Sequence, residues 1–229
     1  QRWGYPYDGY NRRAEADSDY VDRLARTAAQ VARHVEAHRP QAVLLQEGPE
    51  PNKLGHGVVA RQLTNDLSPW GYTVLHAGEF VTAVQGACDE IRLPRLRRQS
   101  GKAHAVFCSD LNMVAVNVHL KYDTAYSWEE HFTRQDLETI LFHVQAHFPS
   151  ARVYVVGDTN RVSALLPQPD PNAATIEQLT DGLGLLCRPP GPTNIRWDSD
   201  RHRSEMTYAD YALQVAPPRD SSKYSYHCL

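Results

Sequence analysis

The sequence reads as an α/β layered sandwich built on largely antiparallel or mixed sheets. Amphipathic helical segments are interleaved with short β-branched runs. Several strand-like runs neighbour one another with only a turn between, which calls for antiparallel pairing rather than a purely parallel sheet. No internal repeat or linker divides the 229 residues, so they are read as one domain over 1–229. A chain of this length buries a sizeable core, and folding needs no disulfide or metal staple.

Residues 1–17 are aromatic and polar, with Gly4, Pro6 and Gly9 working against regular structure. A helix then runs to about Arg39, capped by Ser18 or Asp19, because Val21, Leu24, Ala28, Val31, Ala32 and Val35 recur on one face. Pro40 ends it, and Ala42-Val43-Leu44-Leu45-Gln46 is a short buried strand leading to Glu47. A Pro- and Gly-rich loop over 48–57 precedes a helix over 58–67, and residues 72–84 form two strands about Gly78. A cationic segment follows, with Arg92, Arg95, Arg97, Arg98 and Lys102. Strands over 104–108 and 113–120 turn at Ser109-Asp110-Leu111-Asn112. Ser127-Trp128-Glu129-Glu130 has capping-box spacing and starts a helix whose apolar face is Leu137, Ile140, Leu141 and Val144. Past Pro149 comes the strand Arg152-Val153-Tyr154-Val155-Val156. A Pro-rich loop over 163–172, a short helix over 173–183, a break at 189–192, a last strand over 207–215 and a tail over 217–229 complete the chain.

The hydrophobic share of 41% and charged share of 22% are ordinary for a globular protein. A net charge of −3 rules out a generally basic nucleic-acid binder, but not an enzyme that holds phosphate through a metal and a few local cations. Cys88, Cys108, Cys187 and Cys228 form no C-x-x-C pair and read as free or buried thiols, which fits a reducing compartment. No apolar run is long enough to span a membrane and no signal peptide is present, so the expected location is cytoplasmic. The first residue is glutamine, so the N-terminus is expected to be processed or cut. The sequence sets no oligomeric state.

Polar groups of a few kinds stand at the strand ends. Glu47 follows its strand, Asn117 and His119 lie two apart, and Asp158 and Asn160 follow Gly157. Asp210 sits in Tyr208-Ala209-Asp210-Tyr211-Ala212-Leu213, and His227 comes almost at the end. In a strand, residues at i and i+2 share a face, so Asp158 and Asn160 stand side by side if the strand persists past Gly157. The acid accepts a proton and the amide holds a neighbour. Carboxylates, carboxamides and histidines without a nucleophilic Ser or Cys motif point to metal-assisted attack by water. Mg²⁺ suits such a set, with Mn²⁺ as its stand-in, because one or two carboxylates plus substrate phosphate bind it.

The motif order Leu44-Leu45-Gln46-Glu47, Asn117-Val118-His119-Leu120, Gly157-Asp158-Thr159-Asn160, Asp210-Tyr211-Ala212-Leu213 and Ser225-Tyr226-His227 resembles the endonuclease/exonuclease/phosphatase superfamily. The resemblance covers nearly the whole chain. It implies a four-layer sandwich, with two sheets face to face and helices outside, and a Mg²⁺-dependent phosphoesterase activity. Glu47 matches the family's metal-binding glutamate. Asp158 matches the aspartate that positions or deprotonates water, and Asn160 the asparagine that orients it. His119 matches a phosphate- or leaving-group-contacting histidine of some branches. His227 matches the closing histidine, and Asp210 the acid that orients it. The implied substrate is a phosphate ester: nucleic acid, nucleotide, or a phospholipid or inositol phosphate. Asn117, Arg196 and Trp197 are the substrate-binding candidates; Trp197 with the neighbouring arginines either stacks on a base or packs inside the fold.

Two departures stand out. Tyr226 replaces the family's metal-side aspartate, and a phenol carries no charge at neutral pH. The chain also begins just after the family's first-strand asparagine, and Leu229 falls inside the final strand, so a first strand and perhaps the end of the last are expected to be missing. Tyr226 motivates the alternative of a catalytically impaired relative acting as a binding or scaffolding module. Singly, each residue has a duller account: Glu47 a surface acid, Asp158-Thr159-Asn160 a turn, His119 a core histidine, Asp210 an arginine partner, His227 a frayed end. The cationic segment over 91–102 is either a substrate arm or an exposed charged loop.

Overall fold

A computed structural model describes residues 16–49, 51, 53–96, 101–120, 127–159, 175–188, 194–198, 203–207 and 210–215, from residue 185 onward by backbone alone. The expected irregular opening, the loop over 163–172, the break at 189–192 and the tail lie outside these residues. The chain divides into two compact units, Gln1–Ile91 with Val106–Leu111 and Arg92–Ala105 with Asn112–Leu229. Among the described residues no helix is long and apolar enough to cross a membrane.

In the first unit, α1 (Asp17–His38) buries Tyr20, Leu24, Ala28, Val31 and Val35, with Val21 and Ala32 partly buried beside them. Its N-cap is Ala16, without a side-chain cap, so Ser18 and Asp19 lie inside the first turn instead. There Asp17 and Asp19 face the positive end of the helix dipole. Arg39 ends the helix in the left-handed region, its N–H donating to the Val35 carbonyl at 2.8 Å. The Arg39 guanidinium lies over the Trp70 ring, 3.2 Å from its centroid.

Next come β1 (Ala42–Leu45), α2 (His56–Leu67), a 3₁₀ turn (Ser68–Trp70), β2 (Tyr72–Ala77), β3 (Phe80–Gln85) and β4 (Cys88–Ile91). Gly55 precedes α2 at φ 88°, and a Cβ there would lie 2.1 Å from Leu24 Cδ1. Glycine is what lets α2 start hard against α1. Helix α2 buries Val59, Leu63 and Leu67, one face at helical spacing. The strand order β1-β3-β2 is antiparallel throughout, with Leu45 opposite Val81 and His76 opposite Val81. Only Val43 of β1 is fully buried, so the expectation of a buried strand is corrected: among the described residues β1 pairs with β3 alone in this sheet. Sequence reading passed over β4, which carries two acids in four residues and shows no apolar alternation.

The strand β5 (Gly101–Cys108) belongs in part to each unit and starts three residues before the expected His104. The second unit continues through β6 (Met113–Leu120), α3 (Ser127–His147), β7 (Arg152–Asp158), α4 (Ile176–Thr180), β8 (Leu185–Arg188), β9 (Asn194–Asp198), β10 (Arg203–Thr207) and β11 (Asp210–Val215). Four strands run in the order β6-β7-β11-β8. The β6/β7 pair is parallel and α3 makes the crossover it requires; β11 is antiparallel to both β7 and β8. Seven of the eight β6 residues are buried, as expected of a strand covered on both faces. The apolar face of α3 is as expected, with Leu137, Ile140, Leu141 and Val144 all buried.

Asn112 holds the starts of the parallel pair together. At φ 44° its carbonyl accepts from Arg152 N–H at 3.0 Å while its amide donates to the Ser150 carbonyl at 2.9 Å. Two further elements differ from expectation. Helix α4 is five residues rather than eleven, because Thr175 and Gln178 close a capping box at its start and Gly182 and Gly184, both at positive φ, follow its end. Strand β8 follows at once. The single strand expected over 207–215 is two, since Thr207 ends β10, paired with β9, and Asp210 begins β11, paired with β7. The ribbon β9–β10 was not anticipated; its residues are largely polar, and opposite charges (Arg196 with Glu205, Arg203 with Asp198) share its register positions.

Candidate active site

Strand β7 runs two residues past the expected Val156, so Asp158 is its last residue rather than part of a loop. Gly157 sits within the ladder at φ 143°, opposite Val118 of β6 and Tyr211 of β11. The parallel register places His119 opposite Asp158, and the antiparallel register places Asp210 opposite the same Asp158. His119, Asp158 and Asp210 thus form one row across three adjacent strands.

His119 is the one position of β6 that is not fully buried, and its Nε2 lies 4.0 Å from Asp158 Oδ2. The two side chains are 19% and 24% exposed, enough for a small ligand to reach both from solvent. That spacing is too long for a direct hydrogen bond and suits a bridging water. Two residues back on the same strand, Asn117 is fully buried, opposite Val156. Thr159, directly after Asp158, is also fully buried, which ties down the chain beyond the strand end.

Glu47 belongs to the first unit. It follows β1 at φ 57°, an unusual conformation for a side-chain-bearing residue, and is partly buried. The next peptide is pinned, Gly48 N–H donating to the Glu79 carbonyl at 2.8 Å. Glu79 lies in the two-residue Gly78-Glu79 turn between β2 and β3 and is itself buried, 4% exposed. Sequence reasoning missed this anchor, because Gly-Glu between two strands reads as a solvated turn.

Arg196 and Trp197 are successive residues of β9, opposite Glu205 and Ser204 of β10. Asn160 and His227 lie outside the described residues, as does Tyr226. Among the described residues no group of three or more His, Cys, Asp or Glu is gathered for a metal.

No family model matches the sequence, and no curated protein matches it by sequence. Solved structures do resemble it. A mannosyl-6-phosphatase from Bacteroides thetaiotaomicron superposes with a TM-score of 0.57 at 11% identity, over 86% of this chain and 79% of that one. An endonuclease/exonuclease/phosphatase family protein from the same organism gives 0.54 at 11% identity, over 87% and 78%. TDP2 from D. rerio, complexed with single strand DNA product, gives 0.52 at 14% identity, over 85% and 80%. The chain has the α/β sandwich fold of the endonuclease/exonuclease/phosphatase superfamily.

Proposed function

We propose that this chain is a metal-dependent phosphoesterase that hydrolyses a phosphodiester or phosphomonoester with water. The observation that carries the reading is the row of His119, Asp158 and Asp210, with His119 Nε2 and Asp158 Oδ2 4.0 Å apart at the open end of buried strands. Its support from outside is the fold, which a phosphatase shares.

Each residue's role follows from its chemistry. Asp158 accepts the proton of a water held beside it, with Asn160 orienting the carboxylate. His119 binds a phosphoryl or leaving oxygen, and His227, oriented by Asp210, does the same from the chain's end. Buried Asn117 braces the strand beneath His119. The donors fit Mg²⁺, or Mn²⁺ in its place: they are carboxylate oxygens, and Mg²⁺ takes one or two of these with water and substrate filling the rest. Glu47, partly exposed after β1, is the residue that would hold the ion, which when bound neutralises charge on the phosphoryl group. Phosphate esters are among the slowest substrates to hydrolyse unaided, so a positioned water alone does not suffice.

Nucleic acid is the substrate class to test first, because TDP2 from D. rerio is seen with single strand DNA product. Arg196 and Trp197 on the β9–β10 ribbon are the residues suited to grip a nucleotide. The alternative of an impaired binding module rests on Tyr226 alone and is not favoured. The test is hydrolysis of bis(4-nitrophenyl) phosphate and of single-stranded DNA by the full chain with and without Mg²⁺. Asp158→Asn is expected to lower turnover by roughly 10²- to 10⁴-fold. An Asp158→Asn protein as active as its parent sinks the assignment.

A further inference from the structure

We propose that the cationic run between β4 and β5 is an arm that binds the phosphate backbone of a nucleic-acid strand, with Arg92, Arg95 and Lys102 as its contacts. The inference rests on the phosphoesterase reading only in taking nucleic acid as the polyanion, and its test does not require turnover.

Charge is concentrated here. Residues 92–102 include Arg92, Arg95, Arg97, Arg98 and Lys102 and no acid, in a chain whose net charge is −3. Outside the run, 19 cations (24 − 5) stand against 27 acids. The sign changes abruptly, since β4 just before it carries Asp89 and Glu90. Arg97 and Arg98 lie outside the described residues and are not counted among the contacts.

Residues 92–96 are neither helix nor strand, and Leu93, before Pro94, is confined to extended backbone. Ile91, Leu93, Pro94 and Leu96 are partly buried, while Arg92 and Arg95 are exposed. The apolar residues hold the segment on the protein and leave the guanidiniums in water. Among the described residues neither Arg92 nor Arg95 has an ion-pair or hydrogen-bonding partner. A charged surface that serves solubility alone mixes both signs. This run carries one.

Topology sets where the arm leads. Strands β5 and β6 are eight residues each, and the four residues 109–112 join them, a connection only antiparallel strands allow. The amino end of β5, with Gly101 and exposed Lys102, therefore lies at the carboxyl end of β6, where His119 stands. Strand β7 is the next beyond β6, so the strand of Asp158 is two spacings from β5, roughly 10 Å.

Donor chemistry selects the partner. Arginine presents a planar fork of donors that matches phosphate oxygens. Cations spread along an irregular stretch of chain suit a linear polyanion better than a single phosphate. Segments that lie on anionic bilayers expose Trp, Phe or Leu beside their cations. Here Leu93 and Leu96 are partly buried, and the run has no aromatic residue.

The test is binding of a fluorescein-labelled single-stranded oligonucleotide to the full chain, read by anisotropy in EDTA over a range of NaCl concentrations. Each phosphate contact on a single strand adds about 0.7 to the slope of log affinity against log salt. R92Q/R95Q should flatten that slope by about 1.4 and bind roughly 25-fold more weakly near 0.1 M NaCl, and adding Lys102→Gln should remove about 0.7 more. R26Q/R33Q, which takes two exposed arginines from α1, should bind as the parent does. Three outcomes overturn the arm: a parent that does not bind the oligonucleotide, R92Q/R95Q binding no more weakly than R26Q/R33Q, or a parent that binds phosphatidylserine vesicles in preference to DNA. R92Q/R95Q should also keep the parent's turnover of bis(4-nitrophenyl) phosphate. A parent inert toward that ester, whose DNA binding still depends on Arg92 and Arg95, sinks the phosphoesterase reading and leaves the arm standing.

Discussion

Glu47 keeps a long side chain at φ 57°, where an L-residue is strained by roughly 1–2 kcal/mol. Such strain is retained where the side chain matters more than the backbone. Glu47→Gly should therefore leave stability unchanged or raise it by up to about 1 kcal/mol, glycine's extra unfolded-state freedom offsetting part of the relief. The same variant should lose Mg²⁺-dependent turnover; a fully active, equally stable Glu47→Gly would remove Glu47 from the proposed chemistry. Gly157 is the converse case. At φ 143° inside the β7 ladder it needs to be glycine, and Gly157→Ala should cost about 1–3 kcal/mol in urea denaturation. Tyr72 gives a pH signature. Burial raises its phenol above the ordinary 10.0, Arg39 pulling weakly the other way, and its hydroxyl donates to the Pro40 carbonyl. The unfolded chain ionises first, so the stability tied to the neutral phenol is complete below pH 10 and lost as pH rises through the folded value. Cys88, raised above 9.0 chiefly by burial, adds the same trend. Unfolding free energy should fall above pH 9–10, less steeply in Tyr72→Phe; identical alkaline slopes would contradict the assignment.

Where local signals are strong, strands and helices stand as read. The apolar periodicity of α1, α2 and α3 and the β-branched runs of β6 and β7 place those elements within a few residues of expectation. The misses have a common cause: short pieces held by partners distant in sequence. Strands β8 and β10 lack alternation of their own, β9 alternates over only five residues, and β8 is held by its pairing with β11. Helix α4 is bounded by a Thr175–Gln178 box and the trailing Gly182, both inside the stretch over 173–183 expected to be helical throughout. The clamp at Asn112 supplies a test. Asn112→Ala gives up both the amide bond to Ser150 and a residue tolerant of φ 44°, and should cost roughly 1–3 kcal/mol. Asn112→Gly should recover the backbone part only. Equal losses for the two would mean that the backbone conformation is not what Asn112 provides.

Taken whole, the chain carries its chemistry as a linear order of short motifs, each too common to decide anything singly. Their order pointed to a fold that solved structures at 11–14% identity share. That order is one-dimensional information, which is why it could be read directly. So could the residue types: oxygen donors for a hard cation, imidazoles for a phosphate, no nucleophilic serine or cysteine. Adjacency was another matter. His119, Asp158 and Asp210 are separated by 39 and 52 positions (158 − 119 and 210 − 158) and become neighbours through the registers of β6, β7 and β11. Register depends on pairing energies summed across whole strands, and a one-residue slip would turn a side chain to the other face. The strained backbone at Glu47 and its tether to buried Glu79 likewise come from packing and hydrogen bonds between residues the chain brings together only when folded. Motif order and donor chemistry were legible from the amino acids; which donors face one another is a property of strand register, a cooperative quantity that no single stretch encodes.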